Sequence, residues 1–237
     1  MSAVPELAQL LHRPDIWRGN DIATPADACV ASGCFELDAV LPGGGWPTGS
    51  LTELLTAHPG IGEVALLQPV LAQLSKAGGW IALVAPPLPP YAPALQQAGI
   101  ALDRLLVLDV GPKEALWCYE QILGSGAFAA ALAWLPNARP PQIRRLQVAQ
   151  QGQRCLAFAF RPKSCATQSS AAPLRIELLD NKRSSDSVAL RILKRRGTPL
   201  EQTLYVPVFR PVFPIDVDAT VACPPLLTPA ARSVPVA

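Results

Sequence analysis

Residues 51–64 run from an apolar strand-like stretch, Leu51 to Thr56, through Ala57, His58, Pro59, Gly60, Ile61 and Gly62 to Glu63 and Val64. An apolar helical stretch follows. A phosphate-binding loop has this setting and reads Gly-x4-Gly-Lys-Ser/Thr. In such loops backbone N–H groups cradle the phosphates, the lysine neutralises the outer ones and the hydroxyl holds Mg²⁺. Here Ala57 stands at the first glycine, Glu63 at the lysine and Val64 at the hydroxyl, while Gly60 and Gly62 keep the frame. Two unit charges about 4 Å apart interact by roughly 4 kcal/mol at an effective dielectric near 20. Exchanging lysine for Glu63 therefore turns an attraction of that order into a repulsion toward phosphate, and Val64 cannot ligate a metal. Judged on the loop alone, the simpler alternative is an ordinary loop whose Glu63 is a first-turn acid favoured by the helix dipole.

Other residue groups carry less chemistry. Lys182, Arg183, Arg191, Lys194, Arg195 and Arg196 form the one clearly basic zone. It reads as a solvated hairpin edge that resists aggregation, as a protein interface, or as a phosphate-contacting nucleic-acid surface. Aromatic residues for base stacking are not interleaved with it. Residues 161–170 read as a short, polar, mobile loop. Glu53 with Glu63, and Asp109 with Lys113 and Glu114, are imaginable acid/base pairs, but no histidine or nucleophile motif accompanies them. His58 lacks any ligand partner at metal spacing. Trp17 reads as a cover for a corner of the core or, alternatively, as a docking side chain, and residues 206–215, with Val208 and Phe209, combine extended-chain bias with regularly placed apolar groups suited to a partner's groove or sheet edge.

These residues need a frame, and the apolar pattern supplies one. Short apolar runs at 51–56, 80–85, 105–109, 128–135 and 155–160 alternate with helical stretches at 62–77, 91–98, 112–124 and 139–151. Near-continuous apolar strands separated by helices predict a largely parallel sheet buried on both faces, hence a three-layer α/β domain. Pro69 falls inside the first helix and predicts an early bend. Runs at 174–180, 188–194 and 204–209 follow one another without helices, and their alternation predicts antiparallel strands. A short helix is expected at 6–11. The expected division is an N-terminal segment at 1–30, one domain at 31–209 and a Pro-rich, flexible tail at 210–237.

Half of the 237 residues are apolar, enough for one sizeable core, and the net charge of +2 argues neither for nor against nucleic acid. The six cysteines include no Cys-x2-Cys pair, so reduced thiols in a cytoplasmic protein are expected, with no metal and no cofactor. No apolar run is long enough for a membrane span, and the N-terminus lacks the pattern of a signal peptide.

The run from Ala31 to Glu53, with Gly33, Leu37-Asp38, Gly43-Gly44-Gly45, Pro47-Thr48-Gly49 and a strand holding Glu53, resembles the approach to the ATP site in RecA-type proteins. More weakly, the likeness continues to about residue 200. The resemblance implies a RecA-like three-layer sandwich with antiparallel strands toward the C-terminus. Such ATPases also carry an acid after the second strand and an aspartate ending a later one. Here no Asp or Glu occurs from Val64 to Leu102, and the later strand ends Trp134-Leu135. ATPase activity is therefore not expected, and an ATP-dependent recombinase paralogue is the weakest reading. Within the superfamily the chain is most similar to the ImuA family, which implies a non-catalytic accessory role in SOS-induced translesion DNA synthesis. The implied partners are ImuB, an error-prone DnaE-type polymerase and RecA. Residues 51–178 are also similar to SulA, an SOS-induced division inhibitor acting on FtsZ. Trp17-Arg18-Gly19 and the chain length favour the first of the two. In the RecA comparison, Lys194, Arg195 and Arg196 fall where lysines reach a neighbouring subunit's nucleotide.

Overall fold

The computed structural model describes residues 28–209, apart from 182, 183, 185, 198 and 201. The expected helix at 6–11, Trp17, the basic residues Lys182 and Arg183, and the tail from 210 onward lie outside the described residues.

An eight-stranded sheet forms the centre. Its strands are β3 (Leu51–Thr56), β4 (Trp80–Val84), β5 (Leu105–Leu108), β6 (Phe128–Trp134), β7 (Leu156–Pro162), β8 (Leu174–Leu179), β9 (Ser187–Lys194) and β10 (Thr203–Pro207). Their spatial order is β10-β9-β8-β3-β7-β6-β4-β5. Pairing is parallel from β8 through β5, and antiparallel only between β8 and β9 and between β9 and β10. A separate two-stranded ribbon pairs β1 (Cys29–Val30) with β2 (Trp46–Pro47), flanking the short helix α1 (Phe35–Asp38). The expected α/β class with a mainly parallel central sheet therefore stands. Residues 174–179 open the expected antiparallel group by pairing with β9, and on their other side lie parallel to β3.

The helices α2 (Gln68–Lys76), α3 (Ala92–Gln97), α4 (Pro112–Ser125) and α5 (Pro140–Gln150) divide between the two faces. Leu67, Val70, Leu71 and Leu95 join Leu54, Ile81, Leu83, Leu132 and Phe158 in one core, into which Trp46 also packs, edge-on to Phe158. Tyr119, Leu123, Ile143 and Leu146 cover the opposite face. That second face is built largely from alanines, among them Ala82, Ala131, Ala133, Ala157 and Ala159. Side chains this small let α4 approach the strands closely. The buried Tyr119 hydroxyl reaches Phe158 O at 2.9 Å and Ala131 O at 3.3 Å. Burial pushes the Tyr119 hydroxyl well above its ordinary pKa, so it stays a neutral donor.

The first helix is shorter than the pattern 62–77 predicts. It begins at Gln68, and Pro69 occupies its first turn, where its missing N–H removes no hydrogen bond of the regular helix. Residues 60–67 instead form a run of turns, in which Leu66 N donates to Gly62 O and Gln68 N to Val64 O.

Candidate functional site: the loop after β3 and the ends of the parallel strands

In open α/β sheets the crevice outside the carboxyl ends of the strands is the usual place for ligands. Here that edge holds the loop 57–64, the segment after β4, and the ends of β6 and β7. Gly60 and Gly62 both have positive φ, +88° and +109°, so glycine's freedom is required at both. The amides around them converge on an anion, as in backbone nests. That anion is the Glu63 side chain. Gly60 N donates to Oε1 at 2.9 Å and to Oε2 at 3.1 Å, and Gly62 N donates to Oε2 at 3.2 Å. Glu63 is 6% exposed, while Ile61 and Val64 turn toward the core. His58 Nε2 lies 3.0 Å from Asp180 Oδ1, joining the loop to the end of β8.

A nucleotide does not fit these residues. The amides of Gly60 and Gly62 already hold a carboxylate, Val64 packs against the core where the comparison with phosphate loops expects a metal-holding hydroxyl, and Glu63 itself stands where that comparison expects the lysine. After β4, Ala85 adopts a left-handed φ of +50° and donates its N–H to Leu108 O at 2.8 Å, where the RecA comparison expects an acid. At the end of β6, Trp134 stacks on Phe160 with centroids 4.6 Å apart. Together with Pro59, Pro87 and Pro136 these rings line an apolar cleft of about 160 Å³. A larger cleft of about 700 Å³ adjoins it between the starts of α4 and α5. Glu53 and Glu63 are not an acid/base pair, because each carboxylate is fully engaged with other groups.

Glu53 is the centre of a second polar site. Fully buried on β3, it receives Arg161 Nη1 at 2.5 Å and Arg175 Nε at 2.6 Å. Arg175 also donates to the carbonyls of Cys165, Ala166 and Gln168, and Arg161 to Ala138 O. The segment 163–168 is thus pinned from beneath, not the mobile loop its composition suggests. Next to it the Glu177 carboxylate lies between Lys163 Nζ at 2.8 Å and Arg191 Nη2 at 2.5 Å. Burial pushes the Glu177 carboxyl up, but the hydrogen bonds from Lys163 and Arg191 outweigh it and hold the group below its ordinary range. The sequence did carry a sign of this network: Arg161 and Arg175 sit in strands that are otherwise almost wholly apolar, and Glu53 lies in the strand between them.

The remaining predicted contact residues are placed as follows. Lys194 ends β9, and Arg195 and Arg196 follow it, at the amino-terminal edge of the parallel strands, opposite the loop 57–64. Lys194 Nζ donates to Ser170 O at 2.8 Å, and Arg195 Nη1 to Val40 O. Val208 and Phe209 follow β10 at the other end of the same hairpin; Val208 N donates to Asp186 O, and Phe209 is exposed. At about 3.3 Å per residue, the length of β9 separates the two groups by roughly 23 Å, so they are not one surface.

Fold and site together define an α/β protein with a mainly parallel central sheet, whose loop after β3 turns two glycine amides onto its own carboxylate. Residues 49–156, from β3 to the start of β7, match the profile of the family described as "Cell division inhibitor SulA". The cell division inhibitor SulA of Pectobacterium carotovorum subsp. carotovorum is 32% identical over 101 residues, which are 42% of this chain and 60% of that protein. That of Serratia marcescens is 27% identical over 120 residues, 50% of this chain and 71% of that protein. The chain therefore spans less than two thirds of the first of these relatives. The crystal structure of SulA from Pseudomonas aeruginosa is 25% identical and covers 47% of this chain and 97% of that one, with a TM-score of 0.40.

The profile match and the sequence relatives overturn the expected role in translesion synthesis and, with it, ImuB, a DnaE-type polymerase and RecA as partners. The profile and the curated relatives are division inhibitors. The features that favoured the other family, Trp17-Arg18-Gly19 and the chain length, lie outside the matched segment and carry no weight against it. Among the described residues, no helix is long and apolar enough to cross a membrane.

Proposed function

We propose that this chain is a SulA-type inhibitor of cell division, a non-catalytic protein that acts in the cytoplasm, in the SOS response, by binding FtsZ. The observation that carries this reading is the profile match over residues 49–156, which includes the loop 57–64 and the ends of β4 and β6. The site chemistry supports it from another direction. A protein that acts by contact needs shape and surface, whereas hydrolysis needs positioned charge, and the loop devotes its one acid to its own amides. In this reading residues 31–209 form one RecA-like domain, preceded by a segment at 1–30 and followed by a Pro-rich tail.

Contact surfaces belong to the same proposal. Lys194 with Arg195 and Arg196 forms one, Val208 with Phe209 a second, and Trp17 a third. Given the separation of the first two, their losses should be independent. Lys194→Glu combined with Arg196→Glu should weaken FtsZ binding and become more salt-sensitive. Phe209→Ala should weaken it without changing the salt dependence.

Overproduction of the full chain without DNA damage should give long, unseptated cells, and the purified chain should bind unpolymerised FtsZ in solution and lower the amount of FtsZ polymer that sediments. Cells of normal length together with no binding to FtsZ would overturn the reading.

A further inference from the structure

We propose that Glu63 is an internal ligand: its carboxylate takes the phosphate's place in the nest of Gly60 and Gly62 and fixes the loop after β3 in an anion-bound shape with no nucleotide present. This inference does not rest on the division-inhibitor reading.

Three observations carry it. Both carboxylate oxygens are used, and they collect three contacts from two different amides at 2.9, 3.1 and 3.2 Å. Both amides belong to glycines of positive φ, the backbone shape that gathers N–H groups onto one anion. The carboxylate is nearly withdrawn from water, so these amides replace most of its hydration. A simpler account is a capping box, in which an acid three residues into a helix reaches back to a single N–H. That account covers Gly60 alone. It leaves out Gly62 and the use of both oxygens, and the regular helix starts only at Gln68.

The consequence concerns regulation. A phosphate loop that opens and closes with its nucleotide makes the surface around it conditional. A loop whose anion is covalently part of the chain cannot lose it. The cleft edge formed by His58 and Pro59, with Trp134 and Phe160 behind it, is therefore set by synthesis alone. This end of the molecule has one state where a nucleotide switch would have two.

The test uses the full chain and inorganic pyrophosphate as the probe, followed through the amide resonances of Gly60 and Gly62. In the unmodified protein these amides should be protected from hydrogen exchange and unmoved by millimolar pyrophosphate. In Glu63→Ala both should exchange at least about tenfold faster, then shift and slow again as pyrophosphate fills the vacated nest. Glu63→Gln keeps an acceptor without the charge and should lie between the two. A folded Glu63→Ala protein whose two amides ignore pyrophosphate would reduce Glu63 to a cap and overturn the proposal. A wild-type protein whose amides respond to pyrophosphate would overturn it as well. Should Glu63→Ala fail to fold, the unmodified chain still decides: protection of both amides upholds the internal ligand, and fast exchange at Gly62 removes it.

Discussion

Two buried glutamates ten residues apart in this chain are held in opposite ways. Glu53 lies in a rigid strand and is neutralised by side chains, Arg161 and Arg175, each bearing a full charge. Glu63 lies in a loop and is satisfied by backbone amides, which carry only dipoles. Losing the first anion leaves two cations buried together. Losing the second leaves neutral N–H groups that water can reach by a small turn of the loop. Position in the sheet thus decides how much a buried acid matters to the fold, and the more chemically suggestive of the two should be the less structural.

The largest effect should come from Glu53→Ala. Removing one partner of a buried ion pair typically costs about 3–5 kcal/mol, and here two arginines are stranded, so denaturant unfolding should show a loss in that range or no folded protein. A loss below about 1 kcal/mol would abolish the contrast. Glu63→Ala should cost less, about 1.5–3 kcal/mol, the range for hydrogen bonds to a charged group. Equal losses in the two variants, by the same unfolding measurement, would show that the loop is as structural as the strand.

A neutral polar group on the alanine-rich face calibrates the scale. Tyr119→Phe removes one hydroxyl from two carbonyls and should lower stability by about 1 kcal/mol. Glu177 sharpens the comparison from the other side, because its carboxylate is buried while Lys163 and Arg191 are about half exposed. Its folded pKa is held below the ordinary 4.5. Its contribution is therefore complete above that value and is lost as the pH falls through the lower folded one. Water screens the partners, so the effect should be the smallest of the four. Stability measured between neutral pH and the acid limb should fall less steeply in Glu177→Gln than in the unmodified protein.

Much of the fold was legible because a parallel sheet buried on both faces writes itself as apolar runs, and the strands at 51–56, 80–84, 105–108 and 128–134 follow those runs closely. The misreadings have particular causes. The helix pattern at 62–77 was real, but the glycines and the carboxylate of Glu63 draw residues 60–67 into turns. Residues 174–179 pair antiparallel with β9 as their alternation predicts, but their other edge lies parallel beside β3, which brings Arg175 against Glu53. The polar loop at 163–168 looked free because the arginine that holds it comes from the strand that follows. Trp17-Arg18-Gly19, which points to the other family, lies outside the matched residues 49–156.

The sequence by itself determined the alternation of strands and helices, the glycine frame at 60–62, and the absence of the lysine, hydroxyl and acids that nucleotide hydrolysis requires. Those are matters of residue type and local spacing, and periodicity reports them directly. Only the tertiary structure decided what the two acids do. Arg161 and Arg175 lie 108 and 122 residues from Glu53, a pairing no local pattern encodes. Glu63 lies next to its amides in the chain, but whether its carboxylate points out to solvent or back into the nest depends on loop geometry and on the core that Ile61 and Val64 help to close. Charge can be read from a letter; the group that neutralises it is known only once the chain has folded.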